Sequence, residues 1–285
     1  MKAAIRVERT YVLLTLLSTL ATSCIWGINT LFLLDAGLDN TGAFAANAFF
    51  TVGQVIFEVP TGVVADTWGR RASYLLGAAT LFVTTLVYLA MWKLRAPMIG
   101  WAIASILMGL GFTFFSGATE AWLADALTHT GAGDRLDRVM ARGQTFSGAA
   151  MLVGSAAGGF VAQLTHLGVP YLMRSALLAG TFVAAFVFMR DLGFQPDRSK
   201  AAFREVRRLL QTSVNLGWRN PPVRWLMLEQ LFAGGVGIFA FYALQPHLLA
   251  LYGNPRAYGI AGLAAAIVAG TEILAGLVGP FLWRR

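Results

Sequence analysis

Long apolar runs separated by short polar turns are the feature of this sequence that most restricts its fold. Runs of roughly 20 residues, enough to cross a hydrocarbon core of about 30 Å, can be placed at 11–34, 43–65, 73–92, 97–124, 143–165, 170–189, 225–251 and 258–282. Only 13% of the residues are charged, against about 25% in a typical soluble domain. In lipid, backbone amides must be satisfied within a helix or a closed barrel, and the short alternating segments of barrel strands are missing. The sequence therefore predicts an all-α membrane protein with eight spans.

The basic residues predict the orientation of these spans. If the N-terminus is cytoplasmic, all but four of the 22 lysines and arginines fall on that side, and the four exceptions are Lys93, Arg95, Arg174 and Arg256. This distribution follows the positive-inside rule. We therefore expect a multi-pass protein of a cell membrane, most simply a bacterial inner membrane, with a cytoplasmic N-terminus. The same placement explains the net charge of +8, so no nucleic-acid partner is expected.

One long polar connection divides the chain. Residues 191–224 separate a bundle of six spans, 1–190, from a shorter part with two spans, 225–285. Within the connection, apolar residues recur at helical spacing among arginines: Phe203, Val206, Leu209 and Leu210. This pattern predicts an amphipathic helix on the anionic inner leaflet, with a solvated linker as the alternative.

The two spans after the connection repeat the first two. A shift of the sequence by 214 positions superimposes Glu58 on Glu272, Gly62 on Gly276, and Arg70-Arg71 on Arg284-Arg285. Such polar matches are rare in apolar segments, so they indicate a duplication. Parallel repeats of this kind occur in secondary transporters. Since the first unit has six spans, we expect the chain to be truncated at its C-terminus, with a degenerate second half as the alternative.

The turn after the second span carries the motif on which a family resemblance rests. Gly62, Asp66, Gly69, Arg70 and Arg71 fill every fixed position of the pattern GxxxDxxGRR. This motif, the span count and the loop lengths resemble the major facilitator superfamily (MFS). The resemblance implies the MFS fold, here a complete N-terminal six-helix bundle followed by the first two helices of the C-terminal bundle.

The resemblance also implies a role for the motif. In that family its aspartate and first arginine form a cytoplasmic latch with an acidic residue at the end of the fourth helix, which here is Asp125. The alternative is that the two arginines of the motif act only as topology anchors. The repeated motif is degraded, with Pro280 and Trp283 in place of the aspartate and the second glycine. The segment Glu120–Leu123 in span 4 is similar to a bacterial branch of drug and metabolite exporters.

A glycine-rich segment marks span 5. Gly154, Gly158 and Gly159 resemble the antiporter signature of the fifth helix, with Ser155 in the position of its proline. Small residues at four-residue spacing allow helices to approach closely. We expect span 5 to pack against span 8 and to serve there as a hinge; plain helix packing is the alternative.

Several acidic residues lie within the apolar runs or at their edges, and they are Glu58, Glu120, Asp125, Glu229 and Glu272. A central carboxylate costs about 2.5–3.5 kcal/mol on insertion scales, so it usually faces a wet cavity or a partner. The hypothesis is that Glu120, with Glu58 as the next candidate, exchanges a proton as a cavity alternates between the two sides. A structural hydrogen bond or ion pair is the alternative for each.

Taken together, these features predict a secondary transporter that moves a small organic solute by alternating access, in proton-coupled efflux and as a monomer in the bilayer. No enzymatic activity, cofactor or metal is expected, because the three histidines are scattered and no nucleophile or metal-ligand motif occurs. The alternative is a truncated or degenerate MFS-like protein without transport activity, acting as a receptor or assembly partner.

Overall fold

The computed structural model describes residues 2–115, 117–195 and 202–282, with side chains described through Thr271 except within 202–213 and at 231. All regular secondary structure in these residues is helical, which confirms the predicted class. The α-helices are, in chain order, α1 (Lys2–Trp26), α2 (Asn29–Asp35), α3 (Asn40–Trp68), α4 (Arg70–Leu94), α5 (Met98–Thr113), α6 (Ala118–His129), α7 (Leu136–Leu164), α8 (Gly168–Phe188), α9 (Ala202–Arg219), α10 (Pro221–Tyr252) and α11 (Tyr258–Leu282).

Six stretches of the described chain are long and apolar enough to cross a membrane, and α1 with α2 forms a seventh that bends by 48°. The fourth predicted span comprises α5 followed by α6, and the described residues between them, Phe114, Phe115 and Gly117, are not helical. The eighth predicted span corresponds to α11 (Tyr258–Leu282). The chain is therefore a multi-pass membrane protein in which the first predicted span is bent and the fourth consists of two successive helices.

Local sequence signals set the helix ends. Asp39 precedes α3, and its Oδ1 accepts a hydrogen bond of 2.8 Å from the Gly42 N–H, which satisfies one of the free amides at a helix start. Pro221 begins α10, where the missing N–H of proline costs nothing. Gly253 ends that helix with φ +72, a left-handed conformation that glycine adopts without strain.

In the first bundle, α1 lies between α7 and α8, while α4 packs on α5 and α8, and α3 packs on α5. Large rings fill the core, because each buries a wide apolar area. The ring centroids of Phe32 and Tyr171 are 3.9 Å apart, and Trp101 is fully buried beside them.

The two ends of this bundle differ. We call the end with the α3–α4 turn and the start of α1 the motif face, and the end with the α1–α2 bend the opposite face.

The second part of the chain meets the first bundle through α10 and α11. α11 packs along α7, and α10 approaches α2. Near the opposite face, Phe241 stacks on Trp26 with ring centroids 4.4 Å apart, and Phe239 lies 5.1 Å from Phe44. α9 lies within the long connection, but the side chains of its predicted apolar stripe are outside the described ones, so its membrane-surface role stays a prediction.

Arg174 corrects one prediction from the charge pattern. It was assigned to the far side of the membrane, but it lies six residues inside α8, about 9 Å along the helix, and is only 3% exposed. Its Nε donates to Thr85 Oγ1 at 3.1 Å and its Nη1 donates to the Ala21 carbonyl at 3.2 Å. This buried cation joins three helices, and without it the opposite side keeps three basic residues instead of four.

Candidate functional site

The α3–α4 turn is made tight by Gly69. This residue has φ +108, which favours glycine. A Cβ at Gly69 would also collide with the Asp191 carboxylate. Both backbone conformation and space therefore require glycine here. Gly62 is different, because a Cβ there would meet no described atom within 4 Å, and the close helix approach expected at this position is not found within the described residues.

Arg70 lies close to two other predicted site residues, Asp66 and Asp125. Its Nη1 lies 2.7 Å from Asp66 Oδ1, on the other side of the α3–α4 turn, and its Nε lies 3.8 Å from Asp125 Oδ2 at the end of α6. The second distance is too long for a hydrogen bond, and the buried Nε has no acceptor among the described atoms. Asp66 and Asp125 remain about half exposed, and exposed pairs are worth only about 0–1 kcal/mol. The arrangement is a loose tie between α3, α4 and α6.

Asp191, which follows α8, caps the start of α4. Its Oδ1 accepts a hydrogen bond of 2.9 Å from the Arg71 backbone N–H. The N-cap residue of α4 is a glycine without a side chain, so a carboxylate from another part of the chain satisfies this amide and complements the positive end of the helix dipole. Sequence reasoning missed Asp191, because no local pattern connects residues 120 positions apart.

The segment after α8 is held at the motif face by further bonds. Arg71 Nη2 donates to the Phe186 carbonyl at 2.7 Å, and its guanidinium lies 5.1 Å from the centre of the Phe186 ring. Trp122 Nε1 donates to the Arg190 carbonyl at 2.7 Å. The second motif arginine is thus bonded to α8, so its role differs from that of Arg70.

Removal of the Asp191 cap is expected to destabilise the motif face. Asp191→Ala should lower the free energy of unfolding by about 1 kcal/mol, the usual value of a helix cap. Asp191→Asn keeps an oxygen acceptor for the Arg71 N–H, so its loss should stay below about 0.5 kcal/mol. Thermal unfolding of the two purified variants in detergent measures both losses of stability. Equal losses in Asp191→Ala and Asp191→Asn would contradict the capping role.

The Asp191 variants should also differ in their pH dependence. Partial burial raises the pKa of the Asp191 carboxyl above its ordinary 3.8, and the Asp125 charge adds to this, although the Arg71 hydrogen bond and the Arg71 and Arg70 charges oppose it. The folded protein then binds this proton more tightly than the unfolded chain, so stability falls as the pH rises through the raised pKa. In Asp191→Asn, the stability should no longer fall between about pH 4 and the raised pKa, because the amide does not titrate.

The interruption of the fourth span places Glu120 in a first turn. α5 ends at Thr113, and Gly117, with φ +68, precedes α6. Glu120 lies in the first turn of α6, where the helix dipole attracts negative charge. The side chain of Ser116 is outside the described residues. A continuous helix would give Glu120 no such position, so the break defines the local environment of this carboxylate.

Glu120 lines a cavity of about 370 Å³ between α1, the α5–α6 break and α7, and several of the other lining side chains carry hydroxyl or amide groups. The lining residues are Tyr11, Thr15, Ser18, Thr19, Thr22, Phe112, Phe115, Gly117, Thr119, Glu120, Gln144, Ser147 and Met151. The hydroxyls of α1 form one wall, and Thr19 Oγ1 lies 3.0 Å from Ser147 Oγ across it. Of the described lining residues, Glu120 alone is charged. Glu58 is exposed on α3 and is not among the residues that line this cavity.

Two faces of α7 carry the predicted glycine contacts. Toward α1, a Cβ at Gly154 would overlap Ser23, and one at Gly158 would overlap the Cys24 carbonyl. Toward α11, a Cβ at Gly159 would lie 2.7 Å from the Tyr258 carbonyl oxygen and 2.8 Å from Gly262 Cα. The structure thus places span 5 directly against span 8, and equally against span 1. A hinge at this contact stays a prediction.

The opposite face is closed by Gln245 of α10. This side chain is 3% exposed; its Nε2 donates to the Trp26 carbonyl at 3.1 Å, and its Oε1 accepts from the Thr30 N–H at 3.0 Å. Those two groups flank the α1–α2 bend, where the helical hydrogen-bond ladder is broken. One amide therefore satisfies both sides of the bend and attaches the second part of the chain to the first.

Comparisons with known proteins give the same picture. A sequence model of the Major Facilitator Superfamily matches residues 11–285. An uncharacterized MFS-type transporter of Methanocaldococcus jannaschii is 20% identical over 198 residues, which is 68% of this chain and 48% of the relative. An uncharacterized MFS-type transporter of Bacillus subtilis is 25% identical over 160 residues, which is 56% of this chain and 38% of the relative. The chain spans about half the length of these relatives or less.

Proposed function

Since this chain belongs to the major facilitator superfamily, we propose that it moves a small organic solute across a membrane by alternating access, coupled to protons and in the direction of efflux. The observation that carries this proposal is the cavity between α1, α6 and α7 with Glu120 in its wall. Hydroxyl and amide groups offer hydrogen bonds to a solute, and Phe112 and Phe115 offer apolar contact. A carboxylate in such a cavity is a group that a proton can occupy in one state and leave in the other.

The contrast between the two faces supports alternating access. At the opposite face, Gln245 and the stacked rings of Trp26 and Phe241 bring the two parts of the chain together. At the motif face, the first part of α10 is exposed. We propose that the motif face is cytoplasmic, in keeping with the basic residues, so that the described arrangement is open toward the cytoplasm.

In the proposed cycle, the motif residues act as a latch that forms and releases. The Asp66–Arg70–Asp125 tie joins α3, α4 and α6 at the face that must open and close. Its loose geometry suits a switch, because weak exposed ion pairs exchange partners at small cost. The glycine contacts of α7 with α1 and α11 are the proposed hinge, since closely packed backbones can slide without rearranging side chains.

Glu120→Gln tests the proposal directly. The protein expressed from its complete gene is placed in everted membrane vesicles, and radiolabelled small organic solutes are screened for uptake driven by an imposed pH gradient. For a solute that is moved, Glu120→Gln should reduce gradient-driven accumulation to the background level, because glutamine fills the same volume but exchanges no proton. Solute exchange at equal pH on both sides should remain.

Glu58→Gln is the comparison, since this residue is also an acidic group of the spans but lies outside the cavity wall. We expect it to keep gradient-driven accumulation. Accumulation by Glu120→Gln that still depends on the pH gradient would refute the proton site. Absence of gradient-driven uptake by the unmodified protein for every solute would refute proton-coupled transport.

A further inference from the structure

A groove unrelated to the Glu120 cavity runs along the first three turns of α1 at the motif face. It has a volume of about 470 Å³ and is lined by Lys2, Ile5, Arg6, Arg9, Thr10, Leu13 and Phe188. Three of these residues are cations, and none is acidic. Such a charge balance favours an anionic ligand.

The helix divides its surface between this groove and the bundle core. Ala4, Val7 and Tyr11 are buried against the first bundle. Lys2, Arg6 and Arg9 follow at spacings of four and three residues, which places them on one side of a helix. All three are exposed. Packing of the opposite side fixes α1, so the three cations are held in a fixed relation to one another.

These cations have no acidic partner within salt-bridge distance among the described residues. Other arginines at the motif face differ in this respect. Arg135 and Arg142 lie 3.2 and 3.7 Å from the Glu8 carboxylate, and Glu8 is on a different side of α1 from the groove. The charge of the groove is therefore not neutralised by the described chain itself.

The deeper end of the groove is apolar. Leu13 lies four residues beyond Arg9, about 6 Å further toward the membrane interior. Phe188, the last residue of α8, is 49% exposed and forms the other wall. Ile5, which lies between Lys2 and Arg6, adds an apolar contact nearer the surface and is 36% exposed. A ligand that fits has a negative head at the membrane surface and an apolar tail directed inward.

The geometry points to a binding site for an anionic phospholipid. Arg6 and Arg9 hold the phosphodiester, because guanidinium groups bind phosphate oxygens through paired hydrogen bonds. Lys2 lies on the outer side of the headgroup. An acyl chain occupies the apolar end between Leu13 and Phe188. The basic residues here thus bind a lipid in addition to contributing to the orientation of the spans.

Titration of the purified full chain with dioleoylphosphatidylglycerol, followed by native mass spectrometry, tests the site. Attraction of a basic residue to an anionic lipid is worth about 1 kcal/mol, so Arg6→Gln with Arg9→Gln should weaken binding by about 30-fold. Arg6→Lys with Arg9→Lys should retain most of the binding. Ile5→Ser should weaken binding without any change of charge.

The matched control is Arg135→Gln with Arg142→Gln, which removes the same charge from the same face but from arginines that already pair with Glu8. Its binding should stay within about threefold of the unmodified protein. An equal loss in this control would show that binding depends on overall charge, and it would overturn the site. Unchanged binding by the Arg6 and Arg9 double variant would overturn it as well.

The source of the phosphate is distinguished with two further ligands. Dioleoylphosphatidylcholine, which has the same tails but no net charge, and sn-glycerol 3-phosphate, which has a phosphate but no tail, should each bind much more weakly than phosphatidylglycerol. Strong binding of glycerol phosphate would replace the lipid site by one for a soluble phosphate. Circular dichroism confirms that every variant remains helical.

Discussion

Gly158→Ala is expected to separate α1 from α7 and to lower the unfolding temperature of the protein. The new Cβ would overlap the Cys24 carbonyl oxygen and would lie 2.8 Å from the carbon of the same carbonyl and 3.1 Å from Cys24 Cα. These are all backbone atoms, so no side-chain rotation relieves the overlap and the helices must move apart. Overpacking of this kind costs about 1–3 kcal/mol, and the rigid neighbours place Gly158→Ala at the upper end.

Cys24 also reports on this separation. It is the sole cysteine of the chain and is 3% exposed, so modification by N-ethylmaleimide in detergent can be assigned to it without ambiguity. We expect little modification of the unmodified protein and faster modification of Gly158→Ala. Thermal unfolding of the same samples should show a decrease of roughly 6–12 °C, given about 2–4 °C for each kcal/mol.

Gly180→Ala is the matched control for this experiment. Gly180 also lies inside a membrane-spanning helix, but a Cβ there would meet no described atom within 4 Å. Alanine favours a helix by about 1 kcal/mol over glycine, so the control should unfold no earlier than the unmodified protein. An unchanged unfolding temperature and an unreactive Cys24 in Gly158→Ala would contradict the backbone contact.

Gln245→Leu is expected to open the opposite face. Leucine has a similar size but offers no hydrogen bond, so the Trp26 carbonyl and the Thr30 N–H both lose their partner at the α1–α2 bend. A buried backbone group without a partner costs about 1–3 kcal/mol. The two together should destabilise the closed arrangement by about 2–6 kcal/mol, which is enough to invert a balance between two conformations.

Spin labels on either side of this contact measure the opening. Asn40→Cys and Leu251→Cys place labels on exposed residues of α3 and α10, in a Cys24→Ser background. Electron–electron double resonance should then show one dominant distance between the two labels when Gln245 is present. In Gln245→Leu, a longer label-to-label distance should dominate.

Gln230→Leu serves as the control, because Gln230 is an exposed amide on the same helix. It removes the same chemical group without breaking a described hydrogen bond, so its distance distribution should match that of the unmodified sequence. Identical distributions in Gln245→Leu and Gln230→Leu would show that the amide does not hold the opposite face closed.

The features that sequence reasoning found share a local origin. Asp66 and Arg70 lie four positions apart, on either side of the α3–α4 turn. The small residues of α7 recur every four positions, so spacing alone places them on one side of a helix. The membrane class follows equally from the long apolar runs, since lipid leaves the backbone few alternatives. These predictions needed no knowledge of which helices are neighbours.

The features that it missed depend on which helices are neighbours. Asp191 binds an amide 120 positions away, and Gln245 binds one 215 positions away, so neither leaves a periodic pattern in the chain. Arg174 was placed at a membrane face because an arginine usually marks a loop. Its buried position depends on acceptors from α1 and α4, Ala21 and Thr85. The α1–α2 bend near Gly27 and the helix boundary at Gly117 were also missed, because glycine is common inside ordinary membrane helices.

The junction of α1, α7 and α11 has a consequence for how far this sequence can diverge. Its contacts join backbone to backbone, at Gly158 with Cys24 and at Gly159 with Gly262 and Tyr258. Such contacts require a few positions to stay small and place no demand on the identity of the side chains around them. Substitution along α7 should therefore be least tolerated at these glycines. Distant homologues can then keep one helix spacing while sharing few residues.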